Sequence, residues 1–128
     1  MKMAKEFTYK GKTIEELKKL SITEFADLTN SRNRRSLKRG LTVEEKSLLE
    51  KIRAGKKKLK THARQMVVLP EMVGLTIGIH RGNAFEEIYI LPEMVGHRLG
   101  EISLSRKKVA HSAPGIGATK STSSISVR

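Results

Sequence analysis

The chain has 128 residues, with 26 Lys and Arg against 13 Asp and Glu, a net charge of +13 and no cysteine. That length allows one domain with a modest core, and the cationic surplus points to a polyanionic partner. The lack of cysteine excludes disulfides, thiolate metal sites and cysteine nucleophiles; no apolar run reaches membrane-spanning length, and no segment sets a Lys-rich face against a strong Leu, Phe or Trp face.

The first residues, Met1 to Glu6, lack the apolar centre of a secretory signal, so the expectation is a cytoplasmic chain, unprocessed apart from its initiator Met. Charge is unevenly spread: residues 1–60 carry 18 basic and 8 acidic side chains, residues 61–105 carry 3 and 5, and residues 106–128 carry 5 and none. A near-neutral middle between two basic ends fits a packed body with extensions that contact phosphates.

Three short helices are predicted in the first segment, each opened by a capping box: Thr13 with Glu16, Ser21 with Glu24, and Thr42 with Glu45. Apolar residues follow at helical spacing: Ile14, Leu17 and Leu20; Ile22, Phe25 and Ala26; Leu48, Leu49 and Ile52, after which Gly55 should stop the third helix. Between the second and third helices, residues 31–40 hold Arg32, Arg34, Arg35, Lys38 and Arg39 and no acid. A second run, Lys56, Lys57, Lys58 and Lys60, follows Gly55. Charge runs are often just solvated surface, but these have one sign and lack the Glu partners of a solubilising face, and guanidinium groups suit bidentate phosphate contact.

From residue 65 the pattern becomes strand-like, with runs at 65–69, 75–80 and 85–91. Gly82-Asn83 can supply the positive φ of a tight turn, so the second and third runs should form an antiparallel hairpin. Phe85 and Ile88 differ in parity, which suggests a bulge or an end of pairing near Glu86-Glu87. Leu69-Pro70-Glu71-Met72-Val73-Gly74 recurs as Leu91-Pro92-Glu93-Met94-Val95-Gly96. Pro at a first helical position, Glu at the positive dipole end and a terminal Gly make each copy a single helical turn that caps a strand. The final segment is rich in Ser, Thr, Gly and Ala, with few large apolar groups, and cannot fold alone.

His62, His80, His97 and His111 lie 18, 17 and 14 residues apart, which matches no zinc spacing. No metal or cofactor is therefore expected. A nuclease using His80, His97 and Glu101 is the enzymatic alternative; histidines beside Arg81 and Arg98 are more simply donors to RNA.

Thr61-His62-Ala63-Arg64, Pro70-Glu71-Met72-Val73-Gly74, Ile77-Gly78-Ile79-His80 and Glu93-Met94-Val95-Gly96-His97-Arg98-Leu99-Gly100-Glu101, closing at Ser105-Arg106, keep an order and spacing that resemble the small-subunit ribosomal protein nineteen family. The helical N-terminal segment and the tail from His111 to Ser121 resemble its archaeal and eukaryotic branch. Three features depart from the usual pattern: Arg81 stands before Gly82 where Asn is common, Ile102 where Phe or another aromatic is common, and Ser121-Thr122-Ser123 where the branch has a more basic tail.

The resemblance implies an α+β fold: a small three-stranded, mostly antiparallel sheet with short helices, a helical basic N-terminal extension (1–60), a sheet-containing core (61–105) and an unstructured basic tail (106–128). It further implies a non-enzymatic constituent of the cytoplasmic small ribosomal subunit, not a homo-oligomer, that binds ribosomal RNA of the subunit head, in the 3′ major domain. Small-subunit ribosomal protein thirteen would be a neighbour, and the tail would lie near aminoacyl-site transfer RNA. The expected RNA-binding set is Arg32, Arg34, Arg35, Lys38, Arg39, Lys56, Lys57, Lys58, Lys60, His62, Arg64, His80, Arg81, His97, Arg98, Arg106, Lys107, Lys108, His111 and Lys120. With no RNP-type aromatic sequence, shape recognition should dominate over base stacking. A helix-turn-helix DNA binder over residues 22–54 is the other alternative.

Overall fold

A computed structural model describes residues 6–121 and 123; the first five residues of the expected N-terminal segment and residues 122 and 124–128 of the expected tail lie outside it. The first elements among the described residues are an antiparallel ribbon, β1 (Thr8–Tyr9) and β2 (Lys12–Thr13), absent from the sequence expectation because two-residue strands carry no periodicity. Its tip is Lys10 and Gly11, both at positive φ (50° and 80°), as a tight hairpin turn of primed type requires.

Helices α1 (Ile14–Lys19) and α2 (Ile22–Leu28) start at their expected caps, with both reciprocal bonds of each capping box formed. The basic stretch that follows, expected as a connection, is instead a helix, α3 (Ser31–Lys38). Its only large apolar residue is Leu37, so apolar periodicity does not reveal it. Contacts in the folded chain define it: Asn30 accepts from the Asn33 amide at 3.0 Å as an N-cap, and Asn33 and Leu37, one turn apart, face inward. Helix α4 (Val43–Arg53) starts at its Thr42–Glu45 box and ends at Gly55, where φ is 69° and the Lys56 and Gly55 amides donate back to the carbonyls of Lys51 and Ile52.

The main sheet has the order β3 (Leu59–Thr61), β4 (Thr76–His80), β5 (Phe85–Tyr89). The fold is α+β, as expected, but the sheet has one parallel pair (β3 with β4) and one antiparallel pair. Its first strand is also not the one expected. Residues 65–69 lie in the crossover that a parallel pair requires, and Met66, Val67, Val68 and Leu69 are all buried there. A continuous apolar run looks the same whether it is a central strand or a buried connection. The true edge strand is masked by lysines.

The expected hairpin is present, closed by Arg81 N–H donating to the Ala84 carbonyl at 2.9 Å. Pairing runs unbroken from His80–Phe85 to Thr76–Tyr89, so the bulge expected near Glu86-Glu87 does not occur. The parity conflict has a simpler origin. Ile88 packs on the core opposite Ile77, whereas Phe85 belongs to the outer face.

Both Leu-Pro-Glu-Met-Val-Gly copies form a 3-10 turn, Pro70–Met72 and Pro92–Met94, and are joined by reciprocal hydrogen bonds. Gly74 N–H donates to the Ile90 carbonyl and Ile90 N–H to that of Leu75; twenty-two positions on, Gly96 N–H donates to Val68 and Val68 N–H to His97. The copies are thus locally two-fold related. Leu17, Phe25, Leu48 and Leu49 from the helices join Met66, Ile77, Ile79, Ile90 and Leu99 in one core, Leu99 at the start of α5 (Leu99–Ile102). Residues 104–121 form no helix or strand and are exposed.

Candidate nucleic-acid interface

Outside the tail, the expected cations and histidines gather in three places, of which the first two are exposed cationic runs. On α3, burying Asn33 and Leu37 turns Arg32, Arg35, Lys38 and Arg39 outward. Lys38 Nζ lies 2.7 Å from Asp27 Oδ1, and that hydrogen bond and charge hold the Asp27 carboxyl below its usual range. Both partners are more than half exposed, so the pair adds little stability and Lys38 can exchange it for a phosphate.

Lys56, Lys57 and Lys58 follow α4 and are exposed, and Lys60 stands on the outer face of β3. Beside them the sheet gathers three rings distant in sequence. The His62 and His80 ring centroids are 4.4 Å apart, and Phe85 stands edge-on to both at 5.1 and 4.9 Å. Lys60 Nζ lies 5.2 Å from the Phe85 centroid. A cleft of about 370 Å³, floored by Gly78 and lined by Lys57, Lys58 and Lys60, adjoins this group. Gly82 N–H donates to His80 Nδ1 at 3.3 Å and ties the hairpin tip, with half-buried Arg81, to the same corner.

In the third group a cleft of about 510 Å³ brings Lys10 and Arg32 to His97 and Arg98. The side-chain amide of Asn33 donates to the Gly96 carbonyl, which fixes α3 against this motif. Lys10 was not anticipated from sequence. Its available signal is the Thr-Tyr-Lys-Gly-Lys-Thr stretch, where Lys-Gly sits between two short β-prone pairs. His97 Nδ1 lies 2.9 Å from Glu101 Oε2. The residues of the nuclease alternative are split, His97 and Glu101 lining this cleft and His80 sitting with His62 and Phe85.

Three arginines of the expected set point their guanidinium groups into the protein. Arg64 donates to the carbonyls of His80 (2.8 Å), Gly100 (3.0 Å) and Ser103 (2.6 Å). Arg98 bridges the Gln65 carbonyl and the Ser36 hydroxyl, both at 2.9 Å, and so ties the crossover to α3. Arg34 caps the end of α2 through the carbonyls of Asp27 and Thr29. Arg106, Lys107, Lys108, His111 and Lys120 are exposed along the tail.

Among the described residues no group of three or more His, Asp or Glu could hold a metal ion, and no helix is long and apolar enough to cross a membrane. A family model for ribosomal protein S19 matches residues 35–111, more than half of the chain, from the last turn of α3 through the lysine run, the ring group and the His97-Arg98 motif into the tail.

Proposed function

Because the chain belongs to the ribosomal protein S19 family, structural RNA-binding components of the small subunit, we propose that it holds ribosomal RNA of the subunit head, in the 3′ major domain, by phosphate contact from its exposed cationic runs, without catalysing a reaction. The observation that carries this reading is the division of labour among its cations. Those of α3, the 56–60 run and the tail are exposed, while Arg34, Arg64 and Arg98 brace the backbone behind them. Lysines and arginines arrayed on a rigid frame bind phosphates at fixed spacing, which gives shape recognition without base reading.

In this reading Arg32, Arg35, Lys38, Arg39, Lys56, Lys57, Lys58 and Lys60 touch phosphate, with Arg81, His62, His80 and His97 as polar neighbours. The protein works in the cytoplasm beside small-subunit ribosomal protein thirteen. The exposed tail, with Arg106, Lys107, Lys108, His111 and Lys120, extends toward transfer RNA in the aminoacyl site, since a segment without a core can be ordered only by a partner's surface.

Gradient fractionation tests the placement: the tagged chain should co-sediment with small subunits and, when purified, prefer a folded head fragment of ribosomal RNA over duplex DNA at matched salt. Equal affinity for DNA, or absence from the small-subunit fraction, would overturn the assignment.

A further inference from the structure

The two-fold relation between the Leu-Pro-Glu-Met-Val-Gly copies sets up an internal comparison. Their backbones agree closely: Leu69 and Leu91 have φ/ψ of −88°/155° and −83°/156°, Val73 and Val95 −62°/129° and −60°/132°, and Gly74 and Gly96 have φ of 87° and 84°. Their surroundings do not agree. Leu17, Leu20 and Phe25 of the first helices share a narrow cleft with Leu69, Pro70 and Glu71, leaving Leu69 2 % exposed and Met72 fully buried. Arg53, at the end of α4, forms a two-point ion pair with Glu71 at 3.0 and 3.1 Å. At the second copy, α3 and Tyr9 reach Gly96 and Val95, which is buried, and leave the start of the turn open. Leu91 is 44 % exposed, Glu93 is exposed, and Met94 is half-buried.

We propose that the second copy, residues 91–96, is a docking site for a short amphipathic helix of a neighbouring protein in the small subunit, seated on Leu91 and Met94 with a Lys or Arg reaching Glu93. The first copy is the template, since the same six residues with the same backbone there take an apolar helix face and a guanidinium. RNA does not suit this surface. Residues 91–96 carry one carboxylate, Glu93, and no Lys or Arg, so the patch itself offers a phosphate no cation and one repelling charge. Intermolecular helix-in-groove contacts use the same apolar spacing.

The inference rests on the ribosomal reading only for the assembly that supplies the partner. To test it, Leu91 is replaced by the photo-cross-linking residue p-benzoylphenylalanine in the full chain, small subunits are purified and irradiated, and the cross-linked product is mapped. The expected product joins residue 91 to one segment of another protein with apolar residues three or four apart and an adjacent Lys or Arg. Glu93→Arg should lower that yield by up to about fivefold, and exchanging the partner's cation for Glu should restore it. Cross-links to ribosomal RNA, back into this chain, or to nothing, in subunits that contain the protein, would overturn the docking site and leave the RNA-binding reading intact. An unchanged yield with Glu93→Arg would overturn the charge pairing, whereas failure to enter small subunits would remove both readings together.

Discussion

Lys56 and Arg64 stand eight positions apart, and the short stretch between them uses positive charge in two opposite ways. The lysines at its start are exposed. Arg64 at its end is half-buried and bonded to three backbone carbonyls from the β4 end, α5 and the residue after it. Gly100 makes this possible: its N–H donates to the Arg64 carbonyl at 2.8 Å, and a Cβ there would lie 3.0 Å from that oxygen. The guanidinium is a rigid fork of five donors, able to satisfy several carbonyls at once, whereas an ammonium on a flexible stem keeps its hydration and remains free for a phosphate. The lesson is that basic residues near one another in a sequence need not belong to the same surface.

The sharpest way to break that contrast is Arg64→Ala. Three carbonyls lose a charged donor, so unfolding free energy should fall by about 3 kcal/mol or more, read from the urea midpoint at constant slope. Arg64→Lys should recover only part of this, because one ammonium does not span the three acceptors. If Arg64→Ala keeps the wild-type midpoint but loses RNA affinity, the guanidinium is a ligand for RNA and the contrast fails. At the other end, changing Lys56, Lys57 and Lys58 together to Gln should leave stability within about 0.5 kcal/mol. The salt dependence of head-RNA binding, plotted as log K against log salt, should become shallower by about 2 to 3. An unchanged slope would mean that the run is only solvated surface.

What the sequence shows and hides follows the same physics. The capping boxes were legible because a Ser or Thr with a Glu three residues later satisfies backbone donors locally, without help from the rest of the fold. The hairpin and the two 3-10 turns were legible for the same reason. Helix α3 was not, since its inward face is made by Asn33 and Leu37 and is recognised only once Gly96 supplies an acceptor. Strand β3 was hidden because its neighbours are lysines, and the 65–69 run took its place because burial on all sides removes alternation. At the candidate interface the exposed runs could be read from charge alone. The grouping of His62, His80 and Phe85 could not, because it depends on a parallel pairing that no local signal specifies.

Glu24 adds a third use of charge to the comparison, that of a carboxylate spent on the backbone in full solvent. Its Oε2 accepts from the Ser21 amide at 2.8 Å and from the Ser21 hydroxyl at 2.9 Å, and these bonds, the backbone one first, hold its carboxyl below the usual range. Because the folded chain favours the ionised form, the extra stability is fully present above the ordinary carboxylate pKa of about 4.3 and is lost as pH falls through the lowered value. Glu24→Gln keeps an acceptor oxygen but not the charge. The wild type should therefore have a slightly higher urea midpoint at pH 7, and the two midpoints should converge on acidification. Every other carboxylate is common to both proteins and cancels in the difference. A gap that stays constant down to pH 3 would show that the charge of the box contributes nothing and that its geometry alone caps α2, which would place Glu24 with the solvated lysines rather than with Arg64.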